Sequence, residues 1–238
     1  MSAAPLLRVE GLDAFYGASH VLHGVDLSMR PGEVVLLLGR NGAGKTTLMK
    51  ALMGVVTSRA ARFEFNGHDL RGAPPHRVAR LGVGLVPEDR RMFAKLTVAE
   101  NLELGRKPGA DGRVRWALDR VFEVFPVLRE LLGRKAGALS GGQQQMVAVA
   151  RTLMGNPDLL LLDEPAEGLA PVIVDEMAAQ LGKLREQGLS MIFSEQNLSF
   201  ARTLADRAYV LETGRIRHEA TLAELDARPE EWTRYVAF

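Results

Sequence analysis

"EVVLLLGRNGAGKTT", Glu33 to Thr47, joins a continuously apolar run to a glycine-rich loop and then to the start of a helix. A strand that is apolar at successive positions is buried on both faces, as in a parallel sheet with layers packed on either side. From Gly39 to Thr46 the residues match G-x-x-x-x-G-K-[ST] in full, between that strand and a helix expected from about Lys45 to Met53. Glycines let the backbone approach phosphate oxygens closely. The loop's N–H groups and the helix N-terminus supply partial positive charge, Lys45 adds a full one, and the Thr46 hydroxyl can ligate Mg²⁺. A glycine turn with a chance lysine is the bland alternative, and the strand–loop–helix setting argues against it. Gly39, Arg40, Asn41, Gly42, Ala43, Gly44, Lys45, Thr46 and Thr47 are therefore the expected phosphate cradle.

Working outward, "DLLLLDEP" (Asp158 to Pro165) is a second buried strand. Asp163 at its C-terminal end stands where a contact to Mg²⁺ is needed. Glu164 is the candidate general base that orients and deprotonates an attacking water. A solvated strand end is the alternative for this pair, weakened by the phosphate loop upstream.

Between the two strands, from about Glu88 to Leu153, the pattern turns helical. Thr97 and Glu100 form a capping box that starts a helix near Val98. Val114, Leu118, Val121, Phe125 and Leu128 recur at helical spacing, with Pro126 expected to kink or break the segment. "LSGGQQQ" follows, with Ser140 and Gln143 as a second capping box for a helix running toward Gly155. Ser140, Gly141, Gly142 and Gln143 thus offer free N–H groups and a positive dipole end to an anion. One nucleotide is already wrapped by the first loop, so the second is expected to act on a triphosphate held by another chain.

The first thirty residues alternate apolar and polar, as half-exposed antiparallel strands do, and "ARFEFNG" and "LGVGLVP" read as further strands. After Pro165 come a helix from Pro171 to about Gly188, the strand "LSMIFS", the short helix "NLSFARTLA" and a hairpin turning near Thr213 and Gly214. "LGRKPGADGR", Leu104 to Arg113, is the expected flexible loop.

The 238 residues are 47% apolar with a net charge of +1, an ordinary balance that gives no global drive toward nucleic acid. The absence of Cys removes disulfides and thiolate metal sites and fits a reducing compartment. No window approaches 18 uninterrupted apolar residues, so neither a membrane span nor a secretion signal is expected. Between Arg71 and Arg115 ten basic residues stand against five acidic. This stretch suits either acidic lipid headgroups and a membrane partner's loops or a plain solvated surface.

The phosphate loop, "LSGGQQQ" and "LLLLDEP", in this order and spacing, resemble the ATP-binding-cassette (ABC) ATPases over essentially the whole chain. The resemblance implies a P-loop NTPase (RecA-like) α/β core with an antiparallel β subdomain and an inserted α-helical subdomain. Residues 1–88 and 154–238 would form the core and residues 89–153 the helical signature subdomain. It implies ATP and Mg²⁺ as cofactors, a head-to-tail homo- or heterodimer with two ATP molecules at its interface, and stacking of Tyr16 ("AFYG") on adenine. Three positions depart from the commonest pattern. Glu88 in "VPEDRRMF" replaces a glutamine that contacts Mg²⁺ or water, Ala170 in "AEGLAP" replaces an aspartate, and Gln196 in "SEQN" replaces the switch histidine. Gln196 donates a hydrogen bond without titrating. Glu88 would hold basal hydrolysis down until a partner repositions it.

With "PPHRVARLG" and "ADRAYVLETGRI", these departures resemble the smaller ATPase subunit of branched-chain amino acid importers, while "SHVLHGV" and "GGQQQM" also suit urea and short-chain amide importers. The implied setting is the cytoplasmic face of the inner membrane. The implied partners are transmembrane permease subunits and, through them, an extracytoplasmic solute-binding protein, with no nucleic acid. A soluble ABC protein acting on DNA or ribosomes is the rival, disfavoured by the single cassette. A GTPase or small-molecule kinase would leave "LSGGQQQ" without a purpose.

Overall fold

The computed structural model describes residues 4–196 and 198–227. Strands β1 (Leu7–Tyr16) and β2 (Ser19–Met29) are followed by β3 (Val34–Leu38), α1 (Lys45–Leu52), β4 (Thr57–Arg59), β5 (Arg62–Phe65) and β6 (His68–Asp69). Helix α2 (Pro75–Arg80) leads to β7 (Val83–Val86), then to α3 (Val98–Gly105), α4 (Leu118–Val124), α5 (Val127–Leu131) and α6 (Gly141–Leu153). The remainder alternates: β8 (Leu159–Asp163), α7 (Pro171–Glu186), β9 (Ser190–Ser194), α8 (Leu198–Leu204), the hairpin β10 (Arg207–Glu212) and β11 (Arg215–Thr221), and α9 (Leu222–Ala227).

The strands make two sheets. One is antiparallel, ordered β2-β1-β5-β6 with β4 also on β1; the other runs β11-β10-β3-β9-β8-β7, parallel except for its β10–β11 edge. The apolar strands of the second sheet divide their side chains by period 2. Val34, Leu36 and Leu38 of β3, with Leu160 and Leu162 of β8, pack toward the helices α3 to α8, whereas Val35, Leu37, Leu159 and Leu161 pack against α1 and the antiparallel sheet. This two-sided burial is why those strands read as unbroken apolar runs. All the parallel strands point their C-terminal ends the same way, so the loops after β3, β7, β8 and β9 gather at one edge.

Thr97 and Ser140 both cap as their sequences indicate. The Thr97 hydroxyl accepts from the Glu100 N–H at 3.2 Å, the Ser140 hydroxyl accepts from the Gln143 N–H at 3.3 Å, and each third residue reaches back to the cap's own N–H. One expectation fails and one is refined. Val114 lies outside any helix, 61% exposed; the helix starts at Leu118, and Pro126 separates it from the next. Leu104–Arg113 is a loop from Arg106 onward, tied at several points. Gly105 completes α3, Asn156 donates to the Lys107 carbonyl at 2.8 Å, and Lys107 donates to the Ala79 carbonyl at 2.6 Å. Arg115, just beyond, pairs with Asp111 and Asp158 at 2.6 Å each.

The helices between β7 and β8 do not own a separate core. Val98, Phe125 and Met146 share one apolar cluster with Leu162, Leu184 and Phe193, and α6 runs through it. Any motion of α6 is therefore felt by the sheet.

Candidate functional site

The loop between β3 and α1 bends through Gly42 (φ 79°) and Gly44 (φ 110°), a left-handed conformation that glycine adopts without strain. A Cβ on Gly44 would also lie 2.9 Å from a Leu22 methyl group, which would have to shift. The loop lines a cavity of about 460 Å³ with Tyr16, Val21, Lys45, Thr46, Thr47, Glu88, Glu164 and Glu167. Tyr16, 46% exposed, stands at its rim. A neighbouring cleft of about 560 Å³ shares Arg40, Asn41 and Gly42 but has neither Lys45 nor Glu164.

The polar groups form one ring. Lys45 is 4% exposed; its Nζ donates to the Gly39 carbonyl at 2.8 Å and pairs with Glu164 Oε1 at 3.1 Å. The Thr46 hydroxyl donates to Asp163 Oδ1 at 3.2 Å, and Ser194 Oγ donates to the same oxygen at 2.8 Å. Ser194 Oγ also accepts the Glu164 N–H at 2.9 Å. That bond helps hold Glu164 at φ 46°, a left-handed conformation costing a non-glycine residue on the order of 1–3 kcal/mol. Gln196 Nε2 donates to Asn41 Oδ1 at 2.8 Å and lies 3.2 Å from Glu164 Oε2. Lys45, Thr46, Glu88, Asp163, Glu164 and Gln196 are thus brought together from the ends of β3, β7, β8 and β9.

Burial pushes the Asp163 carboxyl up, against the Ser194 and Thr46 hydrogen bonds that favour its anion. At Glu164 burial acts in the same direction, but the Glu167 hydrogen bond, the Lys45 charge and the Gln196 amide outweigh it and hold this carboxyl below the usual range. Glu167 is the counterpart. Its hydrogen bond to Glu164, then burial and the negative charges of Glu164, Glu88 and Glu195 push it up to about 7. Two carboxyl groups that share a proton split in this way.

For Mg²⁺ the donor set fits. The Thr46 hydroxyl and Asp163 are adjacent hard oxygen donors, and among the described residues no cluster of three or more His, Cys, Asp or Glu builds a dedicated cage. This ion usually keeps its waters and takes one or two carboxylates plus substrate phosphates.

Ser140, Gly141, Gly142 and Gln143 do not line this cavity. Ser140 is exposed at the start of α6, and the glycines after it answer to their neighbours. A Cβ on Gly142 would meet the Ile173 side chain at 2.4 Å, and one on Gly141 would meet Arg90 Nη1 at 3.1 Å. Sequence reasoning missed three members of the ring's surroundings. Ser194 ends a strand read only as apolar. Glu195, 4% exposed, accepts the Ala166 N–H at 2.9 Å. Glu167 stands three residues after Glu164, a spacing that a turn brings together through the 3.1 Å bond from the Glu167 N–H to the Glu164 carbonyl.

The chain is similar to known proteins over nearly its whole length. Residues 22–167 match the family described as ABC transporter. The chain is 41% identical to the high-affinity branched-chain amino acid transport ATP-binding protein BraG of Pseudomonas aeruginosa, over 97% of this chain and 99% of that one. It is 35% identical to the lipopolysaccharide export system ATP-binding protein LptB of Haemophilus influenzae, over 89% and 88% of the two chains. Among solved structures, the ADP conformation of an ATP-binding cassette of an ABC transporter superposes with a TM-score of 0.82 at 26% identity, covering 99% of this chain and 100% of that one.

Proposed function

The chain belongs to the ABC transporter family of ATP-binding proteins and hydrolyses ATP, and from that premise we propose that it powers uptake of branched-chain or other amino acids through separate transmembrane subunits. The observation that carries the catalytic part is the ring joining Lys45, Thr46, Asp163, Glu164 and Gln196 at one edge of the parallel sheet.

In this reading the backbone N–H groups of Gly39–Thr47 and the Lys45 ammonium bind the β- and γ-phosphates. Lys45 exchanges Glu164 for phosphate, which releases Glu164 to act as base. Glu164 takes a proton from water as the water oxygen bonds to the γ-phosphorus; the bond to the bridging oxygen breaks, and ADP and phosphate result. Thr46 and Asp163 would hold Mg²⁺, which when bound neutralises charge on the phosphate oxygens. Glu88 faces the same cavity and would contact that ion or its waters. Gln196 orients Glu164 and donates toward the γ-phosphate, and Tyr16 stacks on adenine. Ser140, Gly141, Gly142 and Gln143 cap the γ-phosphate of a second cassette, so each protomer completes the other's site.

Residues 1–88 and 154–238 act as the catalytic core and residues 89–153 as the lever. Between them lies a groove of about 390 Å³ lined by Val83, Phe93, Leu104, Lys107 and Arg151, with Phe93 and Leu104 more than half exposed. We place the permease contact there, on the cytoplasmic face of the membrane. Among the described residues no helix is long and apolar enough to cross a membrane, so the spanning subunits are assigned to other chains. Import of branched-chain amino acids is favoured by the near full-length likeness to BraG. Likeness to LptB, which serves export, and the sequence traits of urea and short-chain amide importers define the alternatives.

The test is purification of the chain from native membranes, identification of the bound permease and solute-binding protein, and uptake of labelled leucine against urea in cells lacking the chain. Loss of leucine uptake supports the reading; loss of urea uptake alone moves the solute to the alternative; recovery with nucleic acid and no membrane protein overturns it.

A further inference from the structure

The segment after β7 leaves the nucleotide cavity at Glu88 and reaches the surface groove at Phe93. Within it two consecutive non-glycine residues are left-handed, Arg90 at φ 58° and Arg91 at φ 43°, a backbone that persists only where its surroundings hold it. Arg151 of α6 supplies that hold. Its Nη2 donates to the carbonyls of Arg90 at 3.1 Å and Arg91 at 2.9 Å, and its Nη1 donates to Asn101 Oδ1 at 3.3 Å.

The Arg90 guanidinium then reaches toward the first turns of α6. Its Nε donates to Gln145 Oε1 at 3.1 Å, its Nη2 lies 3.5 Å from the Glu167 carbonyl, and its Nη1 is so near Gly141 that a Cβ there would sit 3.1 Å away. Gln145 is 2% exposed, and its Nε2 has no partner among the described residues. The amide cannot be turned over, because an arginine only donates and needs the oxygen facing it. This joint therefore leaves one buried amide donor without a protein partner among the described residues.

We propose that Arg90 is a positioning residue for nucleotide-driven closure: it couples the Glu88 segment to the Ser140–Gly142 turn and to the Glu167 loop, and sets a fixed cation beside the turn that receives the partner's γ-phosphate. A guanidinium fork suits this task because it engages an amide oxygen, a carbonyl and a helix start at once from one planar group. Its charge adds to the N–H groups of that turn. The inference rests on the trans arrangement proposed above.

The experiment uses the full chain with Glu164→Gln, in which bound ATP is consumed slowly, and measures ATP-dependent dimerisation by sedimentation and affinity of the dilute monomer for a fluorescent ATP analogue. Adding Arg90→Ala is expected to weaken ATP-dependent dimerisation by about tenfold or more while leaving monomer affinity within about twofold. Arg90→Lys, which keeps charge but not the fork, should recover part of the loss, and Gln145→Ala in an otherwise native chain should lower turnover more than it lowers the melting temperature. A merely structural pin would lower monomer affinity and melting temperature together, without rescue by lysine, and that result overturns the proposal. If Glu164→Gln dimerises with ATP and the Arg90→Ala double variant does so equally, this inference alone fails. If Glu164→Gln never dimerises with ATP, the trans reading fails and takes this inference with it.

Discussion

The two glycine-rich turns, Gly39–Thr47 and Ser140–Gln143, both present N–H groups at a helix N-terminus, yet they use glycine for different reasons. In the first, Gly42 and Gly44 take left-handed dihedrals that shape the loop around a cavity. In the second, Gly141 and Gly142 are absent from the residues with positive φ, and what glycine provides there is room for the Arg90 and Ile173 side chains, which a Cβ would displace. In the proposed reading the first turn serves as a site by its own backbone, beside Lys45, the carboxylate assigned as base and the oxygens of Thr46 and Asp163 that would hold Mg²⁺. The second lines no part of that cavity, and in the proposed reading it becomes a site only through what packs behind it and what a partner brings. Glycine-rich sequence alone does not distinguish the two.

The sharpest way to break this contrast is Glu164→Gln. Loss of the base should reduce turnover by about 10²- to 10⁴-fold while nucleotide binding persists, measured by phosphate release and by ATP-analogue titration. Undiminished turnover would remove the ring around the first turn from the chemistry. Gln196→Ala should follow with a loss of about 10²-fold, the scale of a removed oriented donor, and unchanged turnover would take Gln196 out of the site.

Ser140→Ala tests the second turn. It should cost about 1 kcal/mol of capping and lower turnover of the assembled dimer by about tenfold, without altering the monomer's affinity for nucleotide. A matching loss of monomer affinity would place both turns in one pocket and end the contrast.

The smallest expected effect concerns Glu167. Its carboxyl is raised to about 7 from an ordinary value of 4.5, so between these values the folded chain binds more protons than the unfolded one. Stability should therefore fall as pH rises through this window and level off above about 7. Glu167→Gln should flatten that slope in thermal melts of the nucleotide-free chain, whereas an unchanged slope would show that the shared proton lies elsewhere.

Much of this was legible in the residues. The strands β3, β8 and β9 announce themselves as apolar runs because layers cover both faces of the sheet. Both capping boxes read correctly because their partners lie three residues apart. Val114 misled because helical spacing carries no information on where a helix begins. Helices α2 and α9 went unread because each is six residues long, too short to show helical periodicity, although Pro75 opens the one and Thr221 and Glu224 cap the other reciprocally. Leu104–Arg113 reads as a loop by composition, but composition is blind to Ala79 and Asn156, which hold Lys107 from elsewhere in the chain.

By itself the sequence determined the phosphate loop, the acidic pair at the end of β8 and the two helix caps, since each is written within a few residues and follows from local hydrogen bonding and burial. Only the tertiary structure decided which groups meet. Thr46 finds Asp163 across 117 positions, Ser194 reaches both Asp163 and Glu164, the Glu167 carboxyl meets that of Glu164, and Arg90 stands behind Gly141. Such meetings are set by the packing of a parallel sheet whose strand ends converge at one edge, and no local pattern of residues encodes the distance between two loops.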